Sequence, residues 1–302
     1  MSDVSFQIKT EVRCVLDARD ALGESPVWCP KERVLYRVDI LGQKILRWNP
    51  NTGEQQSWRM PAKIGSLGLC LDGRLIVALK GGVHLFNTRR ETMECIATPD
   101  AHIATNRLND GKVSPEGRFW IGSMDDRPEK HEVASLFCIS GNNRCVAVVG
   151  GLKVSNGLAW SPDGRIMYHS DSRAATVWRY TYDPATGQLA DKAVFISYHP
   201  EWGRPDGAAV DVDGCYWSAG VSAGRINRFD AAGQLMGFVQ TPISHPTMVC
   251  FGGADMKTVY VTSVRADLPS ELLESTPLAG GVFAFESGVA GVPVGVFAEA
   301  RQ

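Results

Sequence analysis

Asn156–Asp171 reads NGLAWSPDGRIMYHSD. A short apolar run, LAW, stops at the turn SPDG, and a second run of branched and aromatic residues follows. Neither run is long enough for a helix, and both have the composition of strands, so the stretch reads as a hairpin. The same template returns in both directions along the chain. Towards the N-terminus it appears as NDGKVSPEGRFWIGSM from Asn109, GSLGLCLDGRLIVAL from Gly65 and ESPVWCPKERVLYRVD from Glu24. Towards the C-terminus it appears as DGAAVDVDGCYWSAG from Asp206 and PTMVCFGGADMKTVYVTS from Pro246, the last with a longer turn. The copies start 41, 44, 47, 50 and 40 residues apart. That period is the length of a four-stranded propeller blade.

A third strand follows each hairpin: KILRWNP, GVHLFN, SLFCIS, TVWRYTY, RINRFD and GVFAFE. A fourth is readable before the next copy, as in KAVFISY. The expected fold is therefore all-β: a six-bladed β-propeller of four-stranded blades around a central channel, one domain over residues 1–302. A pair of β-sandwiches would give irregular strand spacing instead. Ring closure stays open, because TEVRCVLDA near the start and VPVGVFAEA at the end both read as a last outer strand.

Composition narrows the classes of function. Of the 302 residues, 44% are hydrophobic and 21% charged, with a net charge of −2 and no block of one sign, which argues against nucleic acid or an anionic membrane as partner. The polar start MSDVSFQIKTEVR has no signal-peptide core, and no apolar run approaches a membrane span. Eight cysteines are scattered without CxxC spacing, so they are expected to be buried free thiols in a reducing cytoplasm. A monomer or weak homo-oligomer is expected.

The innermost strand of each blade lines a propeller's channel. Residues in the first slot of the six copies should then form a ring: Glu24, Gly65, Asn109, Asn156, Asp206 and Pro246. Four of them offer side-chain oxygens. Two carboxylates converging on one axis repel, and one divalent cation relieves that, whether Ca²⁺, Mg²⁺, Mn²⁺ or Zn²⁺. Glu24 and Asp206 would neutralise it, with Asn156 as a neutral third ligand. The alternative is that these polar residues only hydrate the channel. Arg107 stands two residues before a ring position and is placed to reach over the mouth.

The pieces LGESPVW, RLNDGKVSPEGRFWIGSM, SNGLAWSPDG and RPDGAAVDVDG resemble the gluconolactonase, regucalcin and luciferin-regenerating enzyme family, over roughly residues 12 to 298. The resemblance implies a sugar-lactone hydrolase and Glu24, Asn156 and Asp206 as ligands of one divalent metal. It implies Arg107 and Asn109 as contacts to a polyhydroxylated substrate. It also implies an acid shortly after a GTM-like segment. Here that segment reads GSMDDRPEK, which makes Asp126 a candidate substrate contact and sets Arg127 near the expected acid.

Lactone hydrolysis needs a polarised carbonyl and an activated water, both of which a metal with open positions supplies. Asp206 is the expected ligand and base, with Asp110 as the other candidate base. Trp202 is read either as a stacking platform for a sugar or as packing, and His102 as a loop residue near the mouth. No GxSxG element is present. Two alternatives to a sugar lactonase are a propeller hydrolase of other lactones or phosphoesters and a regulatory propeller with a structural ion.

Overall fold

The computed structural model describes residues 7–299. The first six residues of the polar start and the last three of the chain lie outside it. Six four-stranded antiparallel sheets form the six blades. Blade 1 shows the pattern: Gly23–Cys29 innermost, then Val34–Asp39, Lys44–Trp48 and Gln55–Arg59. The inner strands of blades 2 to 6 are Ile64–Leu69, Asn106–Val113, Ser155–Trp160, Arg204–Val210 and Pro246–Gly252. Each contains the slot residue named from the repeat.

The residues between the blades explain why the repeat folds this way. Alternate side chains of each strand face one neighbouring blade or the other. The buried apolar residues accordingly sort into six clusters, one for each contact between adjacent blades. Aromatics of the first three strands of the blades fill these layers. Trp28 of blade 1 stacks on Tyr260 of blade 6 at 5.7 Å. Trp120 of blade 3 meets Trp160 and Tyr182 of blade 4 at 6.4 and 5.8 Å. Such edge-on and offset pairs add about 0.5–1.5 kcal/mol each beyond area burial.

The N-terminal strand closes the ring. Arg13–Leu16 pairs antiparallel with Val282–Glu286 as the outermost strand of blade 6. The C-terminal candidate does something else. Residues 291–298 cross the end of the propeller opposite the ring slots, with Val292 N–H donating to Val210 O, Gly295 N–H to Val113 O and Phe297 N–H to Leu69 O. The segment thus ties blades 5, 3 and 2 together.

All eight cysteines are free thiols, as expected, but only Cys29, Cys70, Cys215 and Cys250 are buried. Cys95 is exposed and Cys14, Cys138 and Cys145 are half-buried. These four lie on third and outer strands, where a blade faces solvent. No helix among the described residues is long and apolar enough to cross a membrane.

Candidate functional site

Every inner strand breaks register at or next to its slot. The shifts fall between Glu24 and Val27, Ile64 and Ser66, Leu108 and Gly111, Asn156 and Ala159, Pro205 and Ala208, and Pro246 and Val249. A bulge bends its strand and re-aims a side chain. Ser25 and Gly157, each directly after a slot residue, have φ of 47° and 64°. The slot side chains are thereby turned towards the axis while the strands continue their ladders.

Close packing decides which slots carry oxygens. At Gly65 a Cβ would lie 2.4 Å from Leu108 O and 2.5 Å from Asn109 O, so blade 2 has room only for glycine there. The remaining polar residues meet around the channel. Arg107 Nη1 donates to Asn109 Oδ1 at 2.7 Å. Asn109 Nδ2 donates to Asn156 Oδ1 at 3.0 Å and to Ser155 O at 2.9 Å. Asn156 Nδ2 donates to Ser172 Oγ at 2.7 Å, and Ser172 Oγ donates to Pro205 O at 2.6 Å. This chain runs from blade 3 through blade 4 to the residue preceding Asp206. It fixes the Asn156 amide with its oxygen turned to Asn109, and that oxygen keeps a second lone pair.

The carboxylates are crowded. Glu24 is pushed well above the usual carboxylate range by burial, then by Asp206 and Asp110. Asp206 is pushed up to about 7 by burial and by Asp110, with Arg204 and Arg107 opposing. Asp206 as a residue is half-buried. Asp110 is also raised, chiefly by burial. Its Oδ2 accepts from Leu158 N–H at 3.2 Å, while its Oδ1 is buried without a hydrogen-bond partner. Asp110 therefore holds the neighbouring blade's bulge and adds negative charge below the ring.

Asp126 is differently placed. It meets Lys63 at 3.0 Å, Arg107 at 3.3 Å and Lys80 at 3.6 Å. Burial works upward on its carboxyl, but these cations outweigh it and hold it below the ordinary range. Arg127 turns away to Asp125, 2.9 Å off. Trp202 packs on Phe229 and Tyr198 at 5.6 and 6.0 Å, and His102 is exposed in the loop before Asn106. Ser172 escaped the sequence reading; its signal was its place just after the second-strand Asp171.

Among the described residues no group of three or more His, Cys, Asp or Glu is arranged to hold a metal. The ring's donor set is instead two carboxylates and an amide. Crowded acids whose charge is disfavoured by burial and by one another, all with oxygen donors, fit a hard divalent cation.

These features define a propeller with an oxygen-lined polar site at one mouth of its channel. The chain matches the SMP-30/Gluconolactonase/LRE-like region over residues 22–265 and belongs to that family. It is 39% identical to a 6-deoxy-6-sulfogluconolactonase of Pseudomonas putida, over 95% of this chain and 98% of that one. It is 35% identical to regucalcin of Xenopus laevis, with the same coverage of 95% and 98%. A solved structure of a calcium-binding protein, regucalcin, from Agrobacterium tumefaciens superposes with a TM-score of 0.90 over 97% of this chain and 98% of that one, at 24% identity. That likeness shows the shared fold.

Proposed function

We propose that the protein hydrolyses a sugar lactone of the aldonolactone class to its aldonic acid, and that it does so with one divalent metal. The observation that carries the reading is that Glu24, Asn156 and Asp206 meet around the channel from the inner strands of blades 1, 4 and 5, with Arg107 and Asn109 beside them. Family membership supports it, as does the name of the 39% identical relative. That name denotes a gluconolactone with a sulfo group, so charged as well as neutral lactones belong to the class.

Glu24, Asn156 and Asp206 would hold the cation, which when bound supplies Lewis-acid polarisation of a carbonyl. Asp206, held as a carboxylate by such a cation, is the residue placed to take a proton from the attacking water. Arg107 is buried beside the ring and donates to developing negative charge on the lactone oxygen or to a sugar hydroxyl. Asn109 holds Arg107 and Asn156 at fixed separation; its amide is occupied by both, so it positions these groups first and meets substrate second.

The experiment is metal removal and return. The chelated protein should lose proton release from aldonolactones and regain it with added Ca²⁺, Zn²⁺, Mg²⁺ or Mn²⁺. Full turnover by metal-stripped protein would sink the metal-dependent reading.

A further inference from the structure

We infer that the lactone carries an anionic group, held by a collar of lysines and arginines one layer above the oxygen ring. The inference rests on the lactonase reading and adds the chemistry of the substrate's far end.

The first observation is one of register. Two residues before the ring slots stand Leu22, Lys63, Arg107, Val154, Arg204 and Ser244. Half of them are cations, entering blades 2, 3 and 5. Residues i and i+2 of a strand share a face, and Arg107 shows it by reaching Asn109. Three more cations, Lys80, Lys130 and Arg173, stand between the second and third strands of blades 2, 3 and 4. Antiparallel pairing brings those turns to the same end of the propeller. Lys80 N–H donates to Lys63 O, and Ser172 N–H, next to Arg173, donates to Val154 O.

The second observation is that these six cations share one ion-pair partner among the described residues. Asp126 alone faces Lys63, Arg107 and Lys80. Asp125 is taken by Arg127 and Glu132 by Lys153. Lys130 Nζ donates to a neutral main-chain oxygen, Asp125 O, at 2.9 Å. Arg173 and Arg204 are exposed, and their guanidinium groups make no ion pair or hydrogen bond among the described residues. Arg204 also bears on Asp206 below it, whose charge the proposed metal would take. A cleft beside the channel mouth is lined by Lys80, Asn106 and Arg107 together with Asp100, whose Oδ2 accepts from Asn106 Nδ2 at 2.8 Å.

The layer spacing fits one molecule. Two residues of strand advance about 7 Å, which a six-carbon lactone spans from its carbonyl carbon to a group on C6. Clustered like charges at a mouth repel until an anion sits among them, and guanidinium and ammonium groups are the donors that recognise phosphate, sulfonate and carboxylate. A neutral hydroxyl at the same place leaves the repulsion in force. The collar also draws anions in by its field.

The test uses the full chain, supplemented with metal, on gluconolactones bearing a C6 hydroxyl, phosphate, sulfonate or carboxylate. At least one charged lactone should exceed the neutral one in kcat/KM by about tenfold or more, the equivalent of one good charge-assisted contact. Whichever charged lactone leads identifies the group. The advantage should shrink with added salt. Arg173→Gln together with Arg204→Gln should cut the charged-to-neutral ratio by about tenfold. Calorimetry with the corresponding open-chain acids gives a readout independent of turnover: the charged acid should bind more tightly than gluconate, and the double variant should lose that difference. A wild type that prefers the neutral lactone, or a ratio unmoved in the double variant, overturns the collar and leaves the lactonase reading intact. Collar-dependent binding of the charged acid without hydrolysis of any lactone would sink the lactonase reading alone.

Discussion

Glu24 and Asp206 illustrate a conflict built into single residues. Each is surrounded by protein, each faces another acid, and neither has an ion-pair partner at close range among the described residues. Without a cation this arrangement costs stability, and at the proposed metal site the same crowding would favour a bound cation. Metal-free Glu24→Gln should therefore melt a few degrees higher than the metal-free wild type. The repulsion removed is roughly 1–3 kcal/mol, in line with partly buried charges at an effective dielectric of about 20. In excess metal the order should reverse, because the variant lacks a ligand and its unfolding is no longer opposed by binding. Thermal melts with chelator and with metal check both halves. Equal melting of the two proteins in both conditions would remove Glu24 from the metal site.

At the scale of the element, the second strand of several blades ends in an aspartate that holds the mouth loops. Asp39 accepts from the N–H groups of Ala21, Leu22 and Gly42. Asp171 accepts from those of Lys153, Val154, Arg173 and Ala174. Asp125 accepts from those of Arg127 and His131, and its side chain also pairs with Arg127. The Arg127 side chain, then burial working against it, then these N–H groups leave the Asp125 carboxyl below its ordinary range. The sign follows from that depression. The folded state binds this proton less readily than the unfolded state, so the contribution is present above the ordinary aspartate value, about 4, and fades as pH falls below it. Asp125→Asn should lower the melting temperature at neutral pH, and the gap to wild type should narrow on acidification. A gap that widens in acid would contradict this. Loss of the turn should also loosen the segment carrying Lys130.

For the whole molecule the issue is closure. A propeller is a ring of like sheets, and it has to be closed where the chain's two ends meet. Here the Arg13–Leu16 strand completes blade 6, and the 291–298 segment binds blades 5, 3 and 2 from the far end. Phe297 is 1% exposed within the cluster between blades 2 and 3. Phe297→Ala should cost about 3–5 kcal/mol, as large aromatic truncations in a packed core do. It should leave the mouth chemistry nearly unchanged, because the segment lies at the opposite end. Denaturant unfolding and lactone turnover on the same variant separate the two. Lost turnover in a folded variant would tie the far end to the site.

The sequence by itself determined the number of blades, the strand order within them and the slot residues, because a repeat writes the same burial pattern six times. The inner-strand positions of Glu24, Asn156, Asp206 and Arg107 were legible for that reason. Tertiary structure decided what repetition cannot encode. The bulges at each slot arise where inner strands crowd the axis, and Gly65 is required by the backbone of the next blade. The chain Arg107–Asn109–Asn156–Ser172 joins residues up to 65 positions apart. Asp126 became the partner of lysines 63 and 46 residues away. Which terminus closes the ring followed from how the two ends compete for one edge, a choice made by packing and not by local composition.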